Sequence, residues 1–245
     1  KSHKNLKKKV SSNNIMKLSI IVPVYDEERS ILEILAKVRA QVIASCLIEV
    51  VVVDDGSKDA TLTLLKKNPT LYDKLIAQKK NGGKGAAVRA GLTAATGDYV
   101  LFQDADLEYD PSEYVKLVQP ALTMNADIVM GSRVLAPQFL RIHYFWNKLG
   151  NALITLVFNA CFNRTFSDIY TCYFMFRRNL IDPKELKTNG FEQQAEILAK
   201  CVKRSSVHYD VPISYYGRTK SEGKKIRAYH TLPVLWTIFK EALVK

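Results

Sequence analysis

Short apolar runs alternate with amphipathic segments through the first half of the chain. Residues 17–25, 48–53 and 99–102 have the continuous apolar character of buried strands, and a shorter strand is predicted at 75–77. Between these runs the apolar residues recur at helical spacing, as they do over residues 31–38. The alternation predicts parallel βαβ units, and hence an α/β fold with a mostly parallel, Rossmann-like sheet flanked by helices.

Acidic residues follow three of the predicted strands directly. Asp26 and Glu27 come after the first strand, the pair Asp54-Asp55 after the second, and an Asp-Ala-Asp triplet after the fourth. Ligands of parallel α/β folds bind beyond the carboxyl ends of the strands. We therefore expect one rim of the sheet to carry Asp26, Asp54, Asp55, Asp104 and Asp106.

The triplet Asp104-Ala105-Asp106 has the chemistry of a cation site. Residues i and i+2 of an extended segment point to the same side, so both carboxylates can converge on one ion. Hard oxygen ligands suit Mg²⁺ or Mn²⁺. A solvated acidic turn is the alternative interpretation of such a short motif.

Several motifs, taken together and in order, resemble those of inverting family-two glycosyltransferases with the GT-A fold. The most similar branch is the one that contains dolichyl-phosphate mannosyltransferases, and the resemblance runs from about residue 17 to 226. It implies a GT-A domain at 16–226, while low apolar content predicts a flexible basic arm at 1–15 and the apolar and basic pattern predicts a C-terminal amphipathic helix at 227–245. The motifs are Pro23-Val24-Tyr25-Asp26-Glu27, Asp54-Asp55-Gly56-Ser57, Gly82-Gly83-Lys84-Gly85, Gln103-Asp104-Ala105-Asp106, Gly131-Ser132-Arg133, 168–177, 191–197 and 215–226.

The resemblance implies a binding site for a nucleotide-sugar donor. Asp104 and Asp106 would hold the divalent metal, which would neutralise the leaving nucleotide and so make Asp106 a catalytic residue. Lys84 would steady the diphosphate together with exposed backbone N–H groups of its glycine-containing turn. Helix capping before Thr61 is the alternative role for Asp54 and Asp55. The implied donor-binding residues are Pro23, Tyr25, Glu27, Asp54, Asp55, Lys84, Asp104 and Ala105.

The acceptor implied by the resemblance is a membrane lipid, and polyprenyl phosphate is preferred over a neutral lipid such as diacylglycerol. A phosphate acceptor needs cations to seat it. A lipid hydroxyl needs a general base instead, and Asp168 is the candidate catalytic base. Asp168 also has two other possible roles, in positioning the acceptor or in pairing with Arg177 or Arg178. The candidate acceptor-binding cations are Arg133, Arg218, Lys224 and Lys225.

The pattern departs from these relatives in the region that bears on the acceptor. Gln194 stands where they often carry a glutamate, and Arg227-Ala-Tyr-His230 replaces a segment in which they often have Trp and Asp-Gly. These departures leave the choice between polyprenyl phosphate and a neutral lipid open. UDP- and GDP-sugars are equally compatible with the donor motifs.

A large positive charge favours an anionic membrane surface as a partner. Lys and Arg number 36 against 24 for Asp and Glu, a formal net charge of +12. Nucleic acid is disfavoured because zinc-finger, basic-zipper and RNA-recognition signatures are absent. Residues 139–158 and 232–244 are apolar and aromatic but interrupted by charged residues, and the uninterrupted apolar stretch within 139–158 is too short to span a bilayer. They predict interfacial helices, with ordinary core helices as the alternative.

The same features predict a peripheral enzyme at the cytoplasmic face of the membrane. The four cysteines are far apart and match no metal-ligand spacing, which indicates reduced thiols in the cytosol. Two other classes of function remain open. One is a non-catalytic, membrane-associated subunit that binds a nucleotide, although the intact carboxylates favour an enzyme. The other is a nucleotidyltransferase of the same fold, against which the Gly131-Ser132-Arg133 and Asp168 motifs speak.

Overall fold

The structure is a computed structural model that describes residues 15–135, 145–217 and 231–244. The predicted arm at 1–15 lies almost wholly outside the described residues. Seven strands of the described chain form a single sheet in the order β3-β2-β1-β4-β6-β5-β7. They are β1 (Met16–Val24), β2 (Cys46–Asp54), β3 (Lys74–Ala77), β4 (Tyr99–Phe102), β5 (Ile128–Ser132), β6 (Phe174–Arg177) and β7 (His208–Pro212).

The sheet is mostly parallel, as the alternating pattern predicts. Only β6 runs against its neighbours, pairing antiparallel with both β4 and β5. The continuous apolar runs arise because β1, β2 and β4 are buried on both faces by helices. The seven α-helices of the described chain are α1 (Ile31–Arg39), α2 (Thr61–Lys67), α3 (Lys84–Ala94), α4 (Tyr114–Met124), α5 (Phe145–Phe162), α6 (Gln193–Lys203) and α7 (Thr231–Leu243).

Strand register brings the acidic segments to one edge of the sheet. Val24 of β1 pairs with Asp54 of β2, and Ile21 of β1 pairs with Phe102 of β4, both in parallel. The residues that follow these three strands therefore emerge side by side. Helix α3 packs closely over this region, because a Cβ at Gly91 would collide with the side chain of Ile21. Its small residues are thus required by the short distance between helix and sheet.

Helices α5 and α7 pack against each other, and α7 also packs against α6. The contact buries Val234 and Ile238 of α7 completely, and α5 buries Ile154 and Phe158. The opposite faces of both helices expose large apolar side chains, including Trp236 at 71% exposure. Each of the two helices therefore has one face in the core, as a core helix would, and one face in solvent, as an interfacial helix would. None of the helices within the described ranges has the length and apolar character needed to cross a membrane.

Candidate active site

A cavity of about 710 Å³ opens beyond the carboxyl ends of β1, β2 and β4. This volume lies within the range of protein pockets that enclose small organic ligands. Most of its lining residues come from the ends of β1 and β2, the turns before α3 and after β4, the segment after β5, the first half of α5 and the start of α6. Of the residues predicted from the sequence, the cavity is lined by Pro23, Tyr25, Glu27, Asp55, Lys84, Asp104, Ala105, Asp106 and Arg133.

Asp55 holds the glycine turn at one end of the cavity. Its two carboxylate oxygens accept hydrogen bonds from the backbone N–H groups of Gly82 and Gly83, each at 2.9 Å. Burial raises the pKa of Asp55, although the two N–H donors oppose the shift. Gly83 has φ +89° and a Cβ there would lie 2.5 Å from the carbonyl oxygen of Asn189, so only glycine fits. Asp55 thus both shapes the turn and faces the cavity.

Asp54 and Asp26 do not line the cavity, unlike the other acidic residues predicted at this edge of the sheet. Asp54 is fully buried and does not line the cavity, and one of its oxygens has no partner within the described chain. Asp26 also lies outside the cavity lining and accepts a hydrogen bond from the Lys58 N–H at 2.7 Å. The N–H of Thr61 at the start of α2 is bound by Asp59 at 2.9 Å, so neither Asp54 nor Asp55 caps that helix. Direct donor contact by Asp54 therefore has no geometric support.

The sequence predicts that backbone N–H groups of the turn around Lys84 bind phosphate. In the structure, three of these N–H groups already have partners. The N–H groups of Gly82 and Gly83 are bound to Asp55, and that of Gly85 donates to the Asn189 carbonyl at 2.7 Å. The ammonium group of Lys84 instead reaches into the cavity, where it lies 2.6 Å from Asp104 Oδ1. Burial alone would lower the pKa of Lys84, but the Asp104 carboxylate raises it well above its usual value. Lys84 therefore stays charged.

Asp104 and Asp106 face the same cavity, although not from an extended strand as predicted. Strand β4 ends at Phe102, and the triplet forms a turn in which the following Leu107 has φ +64°. Ala105 is buried between the two carboxylates. This turn rather than strand alternation makes them converge.

The two carboxylates fit a divalent cation that shares its coordination with a substrate. No group of three or more His, Cys, Asp or Glu side chains with metal-binding geometry occurs within residues 15–135, 145–217 and 231–244. Mg²⁺ in nucleotide sites is commonly held by one or two carboxylates, with phosphate oxygens and water completing the shell. Asp104 and Asp106 supply that number of protein ligands.

Gln103 supports the main chain beside Asp104, a role that the sequence alone does not reveal. It is fully buried, and its amide oxygen accepts hydrogen bonds from the hydroxyls of Tyr114 at 2.6 Å and Tyr173 at 3.0 Å. Its amide nitrogen donates to the backbone carbonyl of Asp104 at 2.9 Å. This network fixes the main chain beside the acidic pair. A polar residue at the end of an apolar strand is the only signal of it in the sequence.

Arg133, which lines the cavity, forms a bidentate ion pair with Asp168. Arg133 Nε lies 2.7 Å from Asp168 Oδ2, and Arg133 Nη2 donates to Asp168 Oδ1 at 2.9 Å. Arg133 lines the cavity, whereas Asp168 is only 3% exposed and does not. The predicted alternative partners are engaged elsewhere, because Arg177 binds Asp127 at 2.9 Å and Arg178 donates to the Gly97 carbonyl.

The ion pair makes Asp168 a poor proton acceptor. Burial would raise its pKa, but the guanidinium of Arg133 lowers it below the usual value for aspartate. Both carboxylate oxygens already accept hydrogen bonds. A group that acts as a general base needs a pKa near the working pH and access to the substrate. The geometry therefore favours Asp168 as the residue that orients Arg133, not as the base.

The ring of Tyr215 lies against the guanidinium of Arg133. The sequence alone gives no sign of this contact. The Arg133 Cζ atom lies 5.1 Å from the centroid of the Tyr215 ring, within the range of cation–π contacts. The Tyr215 hydroxyl donates to Glu108 at 2.7 Å, and both residues line the cavity. The remaining predicted cations, Arg218, Lys224 and Lys225, lie outside the described residues.

One wall of the cavity is apolar. It includes Trp146, Leu149 and Leu153 of α5, which are also exposed to solvent. The cavity therefore adjoins the exposed apolar face of α5, and the cation of Arg133 lines the same cavity.

Comparisons with known proteins match this geometry. The profile of glycosyl transferase family 2 matches residues 19–183. Dolichol-phosphate mannosyltransferase of Pyrococcus furiosus is 30% identical over 219 residues, which cover 87% of this chain and 62% of the relative. Undecaprenyl-phosphate 4-deoxy-4-formamido-L-arabinose transferase of Proteus mirabilis is 30% identical over 205 residues, or 80% of this chain and 60% of that protein. The chain thus spans about 60% of the length of these curated relatives.

The fold is also that of a solved glycosyltransferase. Glucosyl-3-phosphoglycerate synthase of Mycobacterium tuberculosis, crystallised with Mn²⁺, UDP and phosphoglyceric acid, superposes with a TM-score of 0.70 at 18% identity. The alignment covers 94% of this chain and 80% of that structure. This similarity confirms the GT-A fold predicted from the sequence. With the profile match over more than half of its length, the chain belongs to glycosyl transferase family 2.

Proposed function

We propose that the protein transfers a hexose, with inversion, from a nucleotide diphosphate sugar to polyprenyl phosphate, using Mg²⁺ or Mn²⁺. The observation that carries the proposal is the combination of groups in one cavity. Asp104, Asp106 and Lys84 line it together with Asp55, Arg133 and the apolar side chains of α5, and Lys84 lies 2.6 Å from Asp104. Such a cavity has a place for each of the charged groups of donor and acceptor.

The donor half of the proposal rests on the residues that follow β1, β2 and β4 and on Lys84. Carboxylate and backbone groups near Pro23, Tyr25, Glu27 and Asp55 suit the hydrogen-bonding groups of a base and ribose. A divalent metal held by Asp104 and Asp106 would supply charge to stabilise the departing diphosphate. Lys84 would add a second positive charge on that diphosphate. Solved relatives of the same fold contain UDP with Mn²⁺ or Mg²⁺.

The acceptor half rests on the Arg133–Asp168 pair. A lipid phosphate is already ionised near neutral pH, so it needs a positioned cation and no base. Arg133, held by Asp168, offers a guanidinium at the cavity surface. A neutral lipid hydroxyl would need a base, and the predicted one is buried with both oxygens occupied. Two curated relatives are named for polyprenyl phosphate acceptors, which supports the same choice.

A membrane-docking surface is the second part of the proposal. The exposed apolar residues of α7 are Leu232, Trp236, Phe239 and Leu243, and those of α5 are Phe145, Trp146, Leu149, Leu153 and Leu156. In each helix this spacing makes one stripe along the axis. Apolar stripes with tryptophan on a protein of net charge +12 suit the interface of an anionic bilayer. The cytoplasmic side of that bilayer stays a prediction.

A donor and acceptor screen tests the proposed reaction. UDP- and GDP-sugars would be incubated with Mn²⁺ or Mg²⁺ and vesicles containing undecaprenyl phosphate, dolichyl phosphate or diacylglycerol. Nucleotide release and the mass of the lipid product would be measured. We expect one sugar to be added to a polyprenyl phosphate, and addition of EDTA to abolish the reaction.

The matched variant for this screen is Asp106→Asn, which removes one charge and keeps the shape of the side chain. Losing one electrostatic contact to the transition state typically lowers turnover by about 10²-fold or more. Glu33→Gln, at an exposed position of α1, is the control. Full activity in EDTA would refute the metal requirement. A protein that binds nucleotides but transfers no sugar to any lipid would instead be the non-catalytic subunit.

A further inference from the structure

The amino end of α6 forms a wall of the cavity between the donor and acceptor groups. Phe191, Gln193 and Gln194 line the cavity there. On one side this end adjoins the Lys84 turn, because the Asn189 carbonyl accepts the Gly85 N–H at 2.7 Å. The position is therefore next to the proposed diphosphate site.

On its other side the amino end of α6 adjoins the loop that holds Arg133. The amide nitrogen of Gln194 donates to the backbone carbonyls of Ile169 and Thr171, at 2.9 and 2.5 Å. The carbonyl of Tyr170, between them in sequence, accepts a hydrogen bond from Arg133 at 2.9 Å. A sugar that passes from the diphosphate to an acceptor at Arg133 must lie between these two groups.

Gln193 is the residue of this wall whose amide group lacks an evident role. It is only 3% exposed, and its amide nitrogen has no hydrogen-bond partner in the described part of the chain. Its neighbour Gln194 has its amide nitrogen fully engaged. Buried polar groups are almost always paired, so an unpaired amide at a cavity wall calls for a ligand.

We propose that Gln193 determines specificity for the donor sugar by donating its amide N–H to an oxygen of that sugar. The inference rests on the proposed function. A neutral amide suits a hydroxyl or carbonyl oxygen, whereas the diphosphate and the acceptor phosphate are matched by the cations Lys84 and Arg133. A site that donates a hydrogen bond to one substrate oxygen rejects analogues that lack it, because its own polar group is then left unpaired.

The test compares the affinity for a nucleotide sugar with that for the nucleotide alone. Gln193→Met keeps the length of the side chain and removes the amide. The probes are UDP with UDP-glucose and GDP with GDP-mannose, titrated calorimetrically in the presence of Mn²⁺, with kcat/KM measured for the preferred sugar nucleotide. Gln119→Leu, which changes an exposed glutamine of α4, is the matched control.

We expect Gln193→Met to lower the affinity and kcat/KM for the preferred sugar nucleotide by about 5- to 10-fold, the usual effect of one hydrogen bond. The affinity for the parent nucleotide should change by less than about twofold, a split that a purely structural role would not produce. Equal losses for both probes, or no loss for either, would overturn the proposal. Gln193→Leu provides the same measurement if Gln193→Met does not fold.

Failure of the proposed function gives a different result. If the unaltered protein binds neither UDP nor GDP with Mn²⁺, the donor site itself is refuted, and the inference about Gln193 is refuted with it. If the unaltered protein transfers sugar and Gln193→Met matches it for every probe, only the role of Gln193 is wrong.

Discussion

Lys84 Nζ lies 2.6 Å from Asp104 Oδ1, so a positive side chain occupies one of the two carboxylates proposed to bind the metal. A cation arriving alone must compete with this ammonium. A bound diphosphate would offer Lys84 a second anionic partner and so leave Asp104 for the metal. Nucleotide and metal should therefore bind cooperatively, each making the site more favourable for the other.

Replacing Lys84 with methionine should separate its competition with the metal for Asp104 from its contact with the diphosphate. We expect Lys84→Met to bind Mn²⁺ alone several-fold more tightly, because Asp104 loses its internal counter-ion. The affinity for UDP or GDP should fall by about 10- to 100-fold, the range for a hydrogen bond to a charged group. Titrations of Mn²⁺ with and without nucleotide, followed by electron paramagnetic resonance, would measure both. Weaker Mn²⁺ binding by the variant in the absence of nucleotide would contradict the competition.

Asp168→Asn distinguishes the two acceptor classes. Asparagine keeps the shape of the side chain but loses the charge that holds Arg133, so with a phosphate acceptor we expect substantial turnover and a raised acceptor KM. Arg133→Ala should raise that KM more strongly, since it removes the cation itself. With a hydroxyl acceptor that relies on Asp168 as base, Asp168→Asn should instead lower kcat by about 10²- to 10⁴-fold.

Steady-state kinetics with the lipid identified by the screen would measure these effects. Arg204→Ala, which removes an exposed surface ion pair with Glu185, is the matched control for loss of an arginine. An inactive Asp168→Asn variant beside an Arg133→Ala variant with a normal acceptor KM would reject the phosphate acceptor.

The sequence predicts the parts of this site that depend on chain order alone. An apolar run followed by Asp104 and Asp106 identifies a strand end and an acidic pair without any tertiary information. Whether Asp54 or Asp55 reaches the cavity depends on the backbone twist at the end of β2, which two adjacent aspartates do not reveal. The partner of Asp168 could not be predicted either, because Arg133 lies 35 residues away and reaches it only after β5 and β6 have paired.

Hydrogen bonds between polar groups that only the tertiary fold brings together could not be predicted from the sequence either. The bonds from Tyr114 and Tyr173 to Gln103 join residues that are distant in sequence and have no periodic pattern. The amphipathic pattern of α5 and α7 is visible in the sequence, but it does not say which apolar residues face the core. Packing decides that Val234 is buried and Trp236 exposed.

Glu49 provides a test of how acid affects stability. It is buried near the amino ends of the strands, where it accepts hydrogen bonds from Ser19 Oγ at 2.5 Å and from the N–H and hydroxyl of Thr96 at 2.8 and 2.7 Å. Lys17 and Lys74 complete the set of partners, at 3.2 and 3.1 Å. Burial alone would raise the pKa of Glu49, but the hydrogen bonds from Ser19 and Thr96 lower it far below its usual value.

A carboxyl whose pKa is lowered by folding contributes stability above its unfolded pKa, which is about 4.3 for glutamate. That contribution is lost as the pH falls from about 4.3 toward the lower folded value. We expect Glu49→Gln to reduce the free energy of unfolding by about 1.5 to 3 kcal/mol at pH 7, the range for a hydrogen bond to a charged group, because the charge that Ser19 and Thr96 stabilise is lost. The deficit should shrink at pH 3. Urea denaturation at both pH values would measure it, and an equal deficit at both would contradict the lowered pKa.

The last prediction concerns the exposed stripe of α7. Truncating the chain before α7 would also remove Val234 and Ile238 from the core, so point substitutions at exposed positions are the sharper test. We expect Trp236→Ser combined with Phe239→Ser to weaken binding to anionic vesicles, while the affinity for UDP or GDP stays unchanged. Val115→Ser, at an apolar position of α4 that is 52% exposed, is the matched control.

Salt provides the independent check on this surface. Added salt should weaken vesicle binding of the unaltered protein, because charges at a surface are screened beyond about 8 Å at physiological ionic strength. The α7 double variant should keep this salt dependence while it loses affinity, since its basic residues are intact and only the apolar contact is removed. Vesicle co-sedimentation across a salt series would measure both effects. If the control and the double variant bind anionic and neutral vesicles equally well at every salt concentration, the α7 stripe does not dock on a membrane.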